Sequence, residues 1–414
     1  MPDMTDKGVL IIGAGQAGAQ TATSLRQGGF EGAITIVGDE SALPYQRPPL
    51  SKAYLKGEME QERLYFKSAE WYESQNVKVI TNCSITSVDP NKSHAETSDR
   101  KTLNFDHLVF ATGSRNRKLP MDGAELKNVF GLKTLADVDA LRPHIHTDKS
   151  LIIIGAGYIG LETAAVARAL GANVTVLELA DRVLARVTSP TISQFYEDLH
   201  NRHGVSIKTR TSTSKISGKN GAVSSVTLAS GEELPCNALL IGIGILPNIE
   251  LAKDAGIDCE DGILVDEYAR TNIANVYAAG DCAKRNILPY NRMGRLESVH
   301  NAIEQGKQVA AAILDKPAPK LDCPWFWSDQ YDIKLQIAGL STDFDNFVLR
   351  GRVEDEKFAL FYFKDDILIA ADAVNSPPEF MTAKRLISAK AKVSPSALSD
   401  LQHSLKDIAA AYRK

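Results

Sequence analysis

One spacing occurs twice in this chain. VLIIGAGQAG, starting at residue 9, and LIIIGAGYIG, starting at residue 151, each set G-x-G-x-x-G behind an apolar run and ahead of an alanine-rich stretch. Few patterns narrow a fold as much. Val9 to Ile12 and Leu151 to Ile154, short and wholly apolar, predict buried strands. Ala17 to Arg26 and Ile159 to Leu170 then predict helices, and AITIVGDE and NVTVLE predict the next parallel strands. Each copy is thus a βαβ unit, and two such units predict two parallel sheets covered by helices. Gly13 and Gly155 allow the tight turn. Gly15 and Gly157 let a pyrophosphate approach the backbone, and Gly18 and Gly160 let helix pack close on strand. The helix N-terminus adds unpaired N–H groups and partial positive charge for the phosphates.

The residue that ends the second strand separates the two copies. In the second copy it is Glu178, whose carboxylate accepts from a ribose 2′-hydroxyl and repels a 2′-phosphate. NADH is therefore expected over NADPH. In the first copy the strand runs into Gly38-Asp39-Glu40, where either acid can take the ribose or adenosine end of a second nucleotide. Two dinucleotide sites in one chain make chemical sense as nicotinamide and flavin: the first delivers electrons as a pair, and the second can release them singly.

The chain has 414 residues, which predicts two or three domains. Further strands end in glycines at HLVFATGSR, ALLIGIGILPN and NVYAAGDCA. From about residue 320 the pattern changes to alternating stretches, expected as an antiparallel meander closed by helices. The formal charge of −4 gives no footprint for nucleic acid. No apolar run reaches the roughly 18 residues of a membrane span. The opening MPDMTDKG lacks the layout of a secretory signal, so a cytoplasmic protein is expected. The five cysteines are scattered, without C-x-x-C or a metal-ligand spacing, and are expected as buried thiols; no metal site is expected.

GAGQAG, PYQRPPLSKAYL, ATGSR, GAGYIGLE, GIGILPN and AAGDCA, in this order, make the chain resemble the pyridine-nucleotide-dependent flavoprotein reductases. ESVHNAIEQG and PWFWSDQYDIKLQIAGL narrow the resemblance to the NADH–ferredoxin reductases of oxygenase systems, the putidaredoxin reductase and biphenyl dioxygenase reductase group. It implies an α/β fold with two Rossmann-like, glutathione-reductase-like domains plus a C-terminal α+β domain. FAD would occupy residues 1–113 and 247–320, NADH residues 114–246, and residues 321–414 would form the third domain.

The resemblance also distributes roles. Gly13, Gly15, Ala17, Gly18, Asp39, Glu40, Arg47, Lys52, Ile85, Ala111, Thr112, Gly113, Lys133, Gly280, Asp281 and Val299 would hold FAD. Lys133 stands where relatives often carry arginine. Gly155, Gly157, Tyr158, Ile159, Gly160, Glu162, Glu178 and Gly244 would hold NADH, with Glu162 on the carboxamide. Lys52 would approach the flavin near N5, where a cation favours the reduced anion.

Related disulfide and peroxide reductases need redox cysteines beside the flavin, and SKAYLKGEMEQERLYF has none. Electrons are therefore expected to leave directly for a one-electron protein partner; the resemblance implies a small acidic [2Fe–2S] ferredoxin, with Trp327 at the exit face. Lys67, Arg292, Arg295, Lys307 and Lys334 would offer it a basic docking surface. An oxygenase would be the indirect partner, and the chain is expected as a monomer or weak dimer. Two alternatives stand: a rubredoxin reductase or NADH oxidase, and a redox-gated interaction flavoprotein of the apoptosis-inducing-factor kind.

Overall fold

The structure, a computed structural model, describes residues 7–412. The chain forms two compact units. One contains residues 1–46, 61–115 and 246–324; the other contains residues 47–60, 116–245 and 325–414. Residues 47–60, expected with the first nucleotide-binding segment, thus group with the second unit.

The first unit is built on a five-stranded parallel sheet. Its order is Val276–Ala278, His107–Phe110, Gly8–Ile12, Ala33–Val37, Val77–Ile80. All five residues of Gly8–Ile12 are buried, as a strand covered on both faces must be. The helix Gln16–Gln27 buries Ala17, Gly18, Thr21, Ala22 and Leu25, a stripe at helical spacing. It stops at Gly28 and at Gly29, whose φ of +90° suits glycine. The helix Val299–Ile313 packs against it, and at Gly306 an added Cβ would lie 2.9 Å from Gln20 Cβ.

In the second unit, a parallel sheet repeats the arrangement. Its order is Ser206–Lys208, Asn173–Leu177, Ser150–Ile154, Ala238–Ile241, Val129–Phe130, with the helix Tyr158–Ala169 after the second glycine turn. Both βαβ predictions hold to within about one residue at each boundary, except that the strand expected as AITIVGDE ends at Val37. A small antiparallel sheet, Thr213–Lys219 with Ala222–Leu228 and Glu233–Pro235, was not expected.

The predicted C-terminal meander is a five-stranded antiparallel sheet ordered Trp325–Gln330, Ile333–Gly339, Ile367–Val374, Lys357–Lys364, Asn346–Arg352. The helix Pro377–Ser388, opened by prolines at its first two positions, lies on it and buries Phe380, Ala383, Leu386 and Ile387. Among the described residues no helix is long and apolar enough to cross a membrane.

Candidate active site

In the first unit, Gly13 has φ +117°, and an added Cβ would sit 2.1 Å from the Ala111 carbonyl oxygen. At Gly18 an added Cβ would sit 2.1 Å from Gly13 O. Both positions therefore exclude any side chain. Gly15, the N-cap of the helix Gln16–Gln27, differs: nothing lies within 4 Å of its missing Cβ. Two glycines are required by packing, and the third faces open space. Ala17 lies under Gly280, at 3.1 Å from an added Cβ there, and Gly280 donates its N–H to Gln305 Oε1 at 2.8 Å.

Beside Gly280, Asp281 accepts from the Ser114 hydroxyl at 2.8 Å, and its carbonyl accepts from Arg295 Nη1 at 3.0 Å. Thr112 and Gly113 are tied to Asn248: the Thr112 hydroxyl donates to Asn248 O at 2.6 Å, and Asn248 N–H donates to Gly113 O at 2.9 Å. Asp39 is exposed, whereas Glu40 accepts from the Tyr45 hydroxyl. Ile85 opens a strand of a small antiparallel sheet, and Val299 opens the helix Val299–Ile313.

The second turn repeats the first in detail. Gly155 has φ +107° and would clash with Gly242 O at 2.4 Å, Gly160 would clash with Gly155 O at 2.2 Å, and Gly157 faces open space. Glu178 is fixed by this turn. Its Oε2 accepts from Ala156 N–H at 2.7 Å and its Oε1 from Ala180 N–H at 2.8 Å. A carboxylate has about four acceptor positions, so two remain for a ribose diol. Tyr158 lays its ring against Phe326 with centroids 4.7 Å apart, Ile159 is 44% exposed, and Gly244 has φ +105°.

The second unit also assembles a buried ion pair. Lys52 Nζ lies 2.6 Å from Glu162 Oε2, and the side chains are 19% and 2% exposed. Ser51 donates to the same oxygen at 2.5 Å, and Ser328 donates to Oε1 at 2.6 Å. Sequence reasoning named Lys52 and Glu162 and missed Ser51 and Ser328. Glu162 is the fifth residue of its helix, one turn beyond Tyr158 and outside the first turn where a helix dipole would favour it. Arg47 donates to Lys133 O at 2.6 Å, while Lys133 N–H donates to Asp137 Oδ2 at 2.8 Å.

Trp327 stands beside Trp325, with centroids 5.4 Å apart. Of the expected docking cations, Lys307, Arg292 and Lys334 are exposed, Lys334 lying 3.8 Å from Asp329. Lys67 is half-buried over the Trp71 ring at 5.1 Å. Arg295 is not an open surface cation: it is 14% exposed, pairs with Glu297 at 2.8 Å and closes on the Asp281 carbonyl. None of the five cysteines forms a disulfide. Burial raises the thiol of Cys282 and pushes that of Cys236 up to about 11, so neither is poised to react.

Residues 7–306 match the family model described as pyridine nucleotide-disulphide oxidoreductase. The chain belongs to the pyridine nucleotide-disulphide oxidoreductase family. Residues 325–409 match a second model, reductase C-terminal. Rhodocoxin reductase of Rhodococcus erythropolis is 40% identical over 398 residues, covering 96% of this chain and 93% of the relative. Putidaredoxin reductase of Pseudomonas putida is 40% identical over 408 residues, covering 97% of each. Among solved structures, the covalent putidaredoxin reductase–putidaredoxin complex superposes with a TM-score of 0.96 at 39% identity, covering 99% of both chains.

The chain is thus an oxidoreductase related to the ferredoxin reductases of oxygenase systems, a group that uses FAD and NADH. The residues present fit both groups. Each turn excludes side chains where the fold packs and leaves open the one glycine a pyrophosphate must approach. The carboxylates of Asp281 and Glu178 are held by neighbours, and Glu178 keeps acceptor capacity for hydroxyls.

Proposed function

We propose that this protein carries electrons from NADH to a small acidic [2Fe–2S] ferredoxin, which in turn supplies a haem-thiolate or Rieske oxygenase. The observation that carries the reading is the pair of glycine turns, each open at its middle glycine alone, with Glu178 anchored at the second. Bound FAD supplies the exchange between a two-electron donor and a one-electron acceptor. The balance is one NADH and two oxidised ferredoxins giving NAD⁺, one proton and two reduced ferredoxins.

The chain's residues divide the work. Gly15 and the helix that follows take the FAD pyrophosphate, Asp281 takes the ribitol hydroxyls, and Asp39 or Glu40 takes the adenosine end, with Ala17 beside it. The Ile85 and Val299 backbones, Ala111 to Gly113, Arg47 and Lys133 complete the FAD contacts. Gly157 and its helix take the NADH pyrophosphate, Glu178 the adenosine ribose, and Tyr158, Ile159, Glu162 and Gly244 the nicotinamide half. Lys52, held by Glu162, places a cation at the flavin N5 edge. Trp327 covers the exit side, and Lys67, Arg292, Lys307 and Lys334 attract the acidic partner. In this reading residues 1–113 with 247–320, residues 114–246 and residues 321–414 are the FAD, NADH and C-terminal domains. The protein works in the cytoplasm as a monomer or weak dimer.

A rubredoxin-reductase reading is less well supported by the relatives. The test is stopped-flow reduction of a [2Fe–2S] ferredoxin and, separately, a rubredoxin by NADH and the FAD-loaded protein. Faster ferredoxin reduction, falling with added salt, is expected. Failure to reduce any [2Fe–2S] ferredoxin while rubredoxin is reduced rapidly would overturn the reading.

A further inference from the structure

The strand Trp325–Gln330 alternates. Phe326, Ser328 and Gln330 share one face, turned at Phe326 and Ser328 to the helix Tyr158–Ala169 and at Gln330 to His200 in the helix Pro190–Arg202, and Trp325, Trp327 and Asp329 share the other. The two spacings match. Phe326 meets Tyr158 and Ser328 meets Glu162. Two strand residues advance about 6.7 Å and four helix residues about 6 Å. Ser328 and Gln330 are 0% and 1% exposed, so their polar atoms need partners within the protein.

Those partners form a chain. Gln330 Nε2 lies 3.1 Å from Ser328 Oγ, Gln330 Oε1 lies 2.8 Å from His200 Nε2, and the Tyr331 hydroxyl lies 3.1 Å from His200 Nδ1. The Glu162 carboxylate fixes its direction. A carboxylate only accepts, so Ser328 donates to it and must itself accept from the Gln330 amide N–H. Gln330 then turns its oxygen to His200, Nε2 carries the imidazole proton, and Nδ1 accepts from Tyr331. His200 is fully buried, and burial lowers its pKa to about 4, consistent with one proton on the ring. Every donor points toward Glu162. The outer end is held firmly too. Tyr331 has φ +56°, a strained conformation for an aromatic residue, and its ring stacks on His203 at 3.7 Å.

We infer that Ser328, Gln330 and His200 are positioning residues: a one-way hydrogen-bond chain that fixes the Glu162 carboxylate and, through it, the Lys52 ammonium. The same strand thereby orients the ion pair from one face while presenting Trp327 on the other. The effect on FAD rests on the proposed function, in which Lys52 adjoins the flavin; the effect on Lys52 itself does not.

The experiment uses the FAD-loaded full chain and four variants: Ser328→Ala, Ser328→Thr, Glu162→Gln, and Ser328→Ala combined with Glu162→Gln. Two quantities are measured, the rate of Lys52 acylation by an N-hydroxysuccinimide ester, read by peptide mass spectrometry, and the flavin midpoint potential. Ser328→Ala is expected to speed Lys52 acylation roughly tenfold to a hundredfold, the range for loss of one hydrogen bond to a charged group. It should move the potential in the same direction as Glu162→Gln and by less. Ser328→Thr, which keeps the hydroxyl, should restore both, and Ser328→Ala should add nothing when Glu162 is already glutamine. A Ser328→Ala protein with wild-type labelling and potential would overturn the inference, as would an additive double variant. If Glu162→Gln and Ser328→Ala both alter labelling and neither moves the potential, the chain stands and the placement of Lys52 by the flavin fails.

Discussion

The buried carboxyl of Asp372 offers a quantitative prediction. Asp372 lies in the strand Ile367–Val374 and is 1% exposed. The Tyr362 hydroxyl is 2.7 Å from its Oδ2 and 2.8 Å from Ser189 Oγ. The hydroxyl carries one proton, so one of these two neighbours, the Ser189 hydroxyl or a protonated Asp372, must donate to it. A protonated Asp372 that donates to Tyr362, which then donates to Ser189, satisfies the arrangement. Burial raises the neighbouring Tyr158 and Tyr196, and among the described residues no charged partner offsets the burial of Asp372 itself. Burial pushes its pKa from 3.8 up to about 7.

The folded state thus keeps a proton that the unfolded chain releases above about pH 4. This contribution to stability is fully present below that value and is lost as pH rises through about 7. Three units at about 1.4 kcal/mol each put the loss on the order of 4 kcal/mol by pH 8. Asp372→Asn keeps a donor for Tyr362 and cannot ionise. Hydrogen exchange of the amides in Ile367–Val374 measures the opening free energy of this sheet without assuming that the whole chain unfolds in one step. The variant minus wild-type difference should climb by about 1.4 kcal/mol per pH unit between pH 5 and 7 and level off near pH 8. A difference that stays flat across this range would refute a neutral buried Asp372.

Gly15→Ala should yield a folded protein with FAD affinity at least about tenfold weaker, whereas Gly18→Ala should lower the melting temperature of the FAD-free protein, because only the second Cβ meets backbone. Gly157→Ala should keep its FAD by absorbance and raise the KM for NADH about tenfold; a colourless preparation would contradict the division of the two turns. Glu178→Gln should lower the ratio of kcat/KM for NADH over NADPH roughly tenfold to a hundredfold, as expected for losing a charged hydrogen bond to the ribose; an unchanged ratio would remove that role. Lys307→Glu and Lys334→Glu should each slow ferredoxin reduction about tenfold at low salt and leave NADH-dependent dye reduction intact; equal losses in both assays would defeat the docking surface.

Some of this protein was settled by residue order alone. Two G-x-G-x-x-G turns, each between an apolar run and an alanine-rich one, dictate two βαβ units because glycine spacing, buried strands and helical stripes are local properties. Glu178 was legible for the same reason: it ends a strand whose length the apolar run sets. Lys52 and Glu162 could be named, but not their partnership, since 110 positions separate them. Ser328, Gln330 and His200 look like ordinary polar residues in the sequence, and only the alternation WFWSDQ hints that two of them turn inward. That they form one directed chain depends on the strand Trp325–Gln330 meeting two helices, Tyr158–Ala169, which carries Glu162, and Pro190–Arg202, which carries His200. Arg295 shows the converse, a cation that sequence placed on the surface and that packing turned inward to a backbone carbonyl. Local chemistry is written in neighbours along the chain, whereas the charge, partner and direction of a buried polar group are set by whatever the fold brings against it.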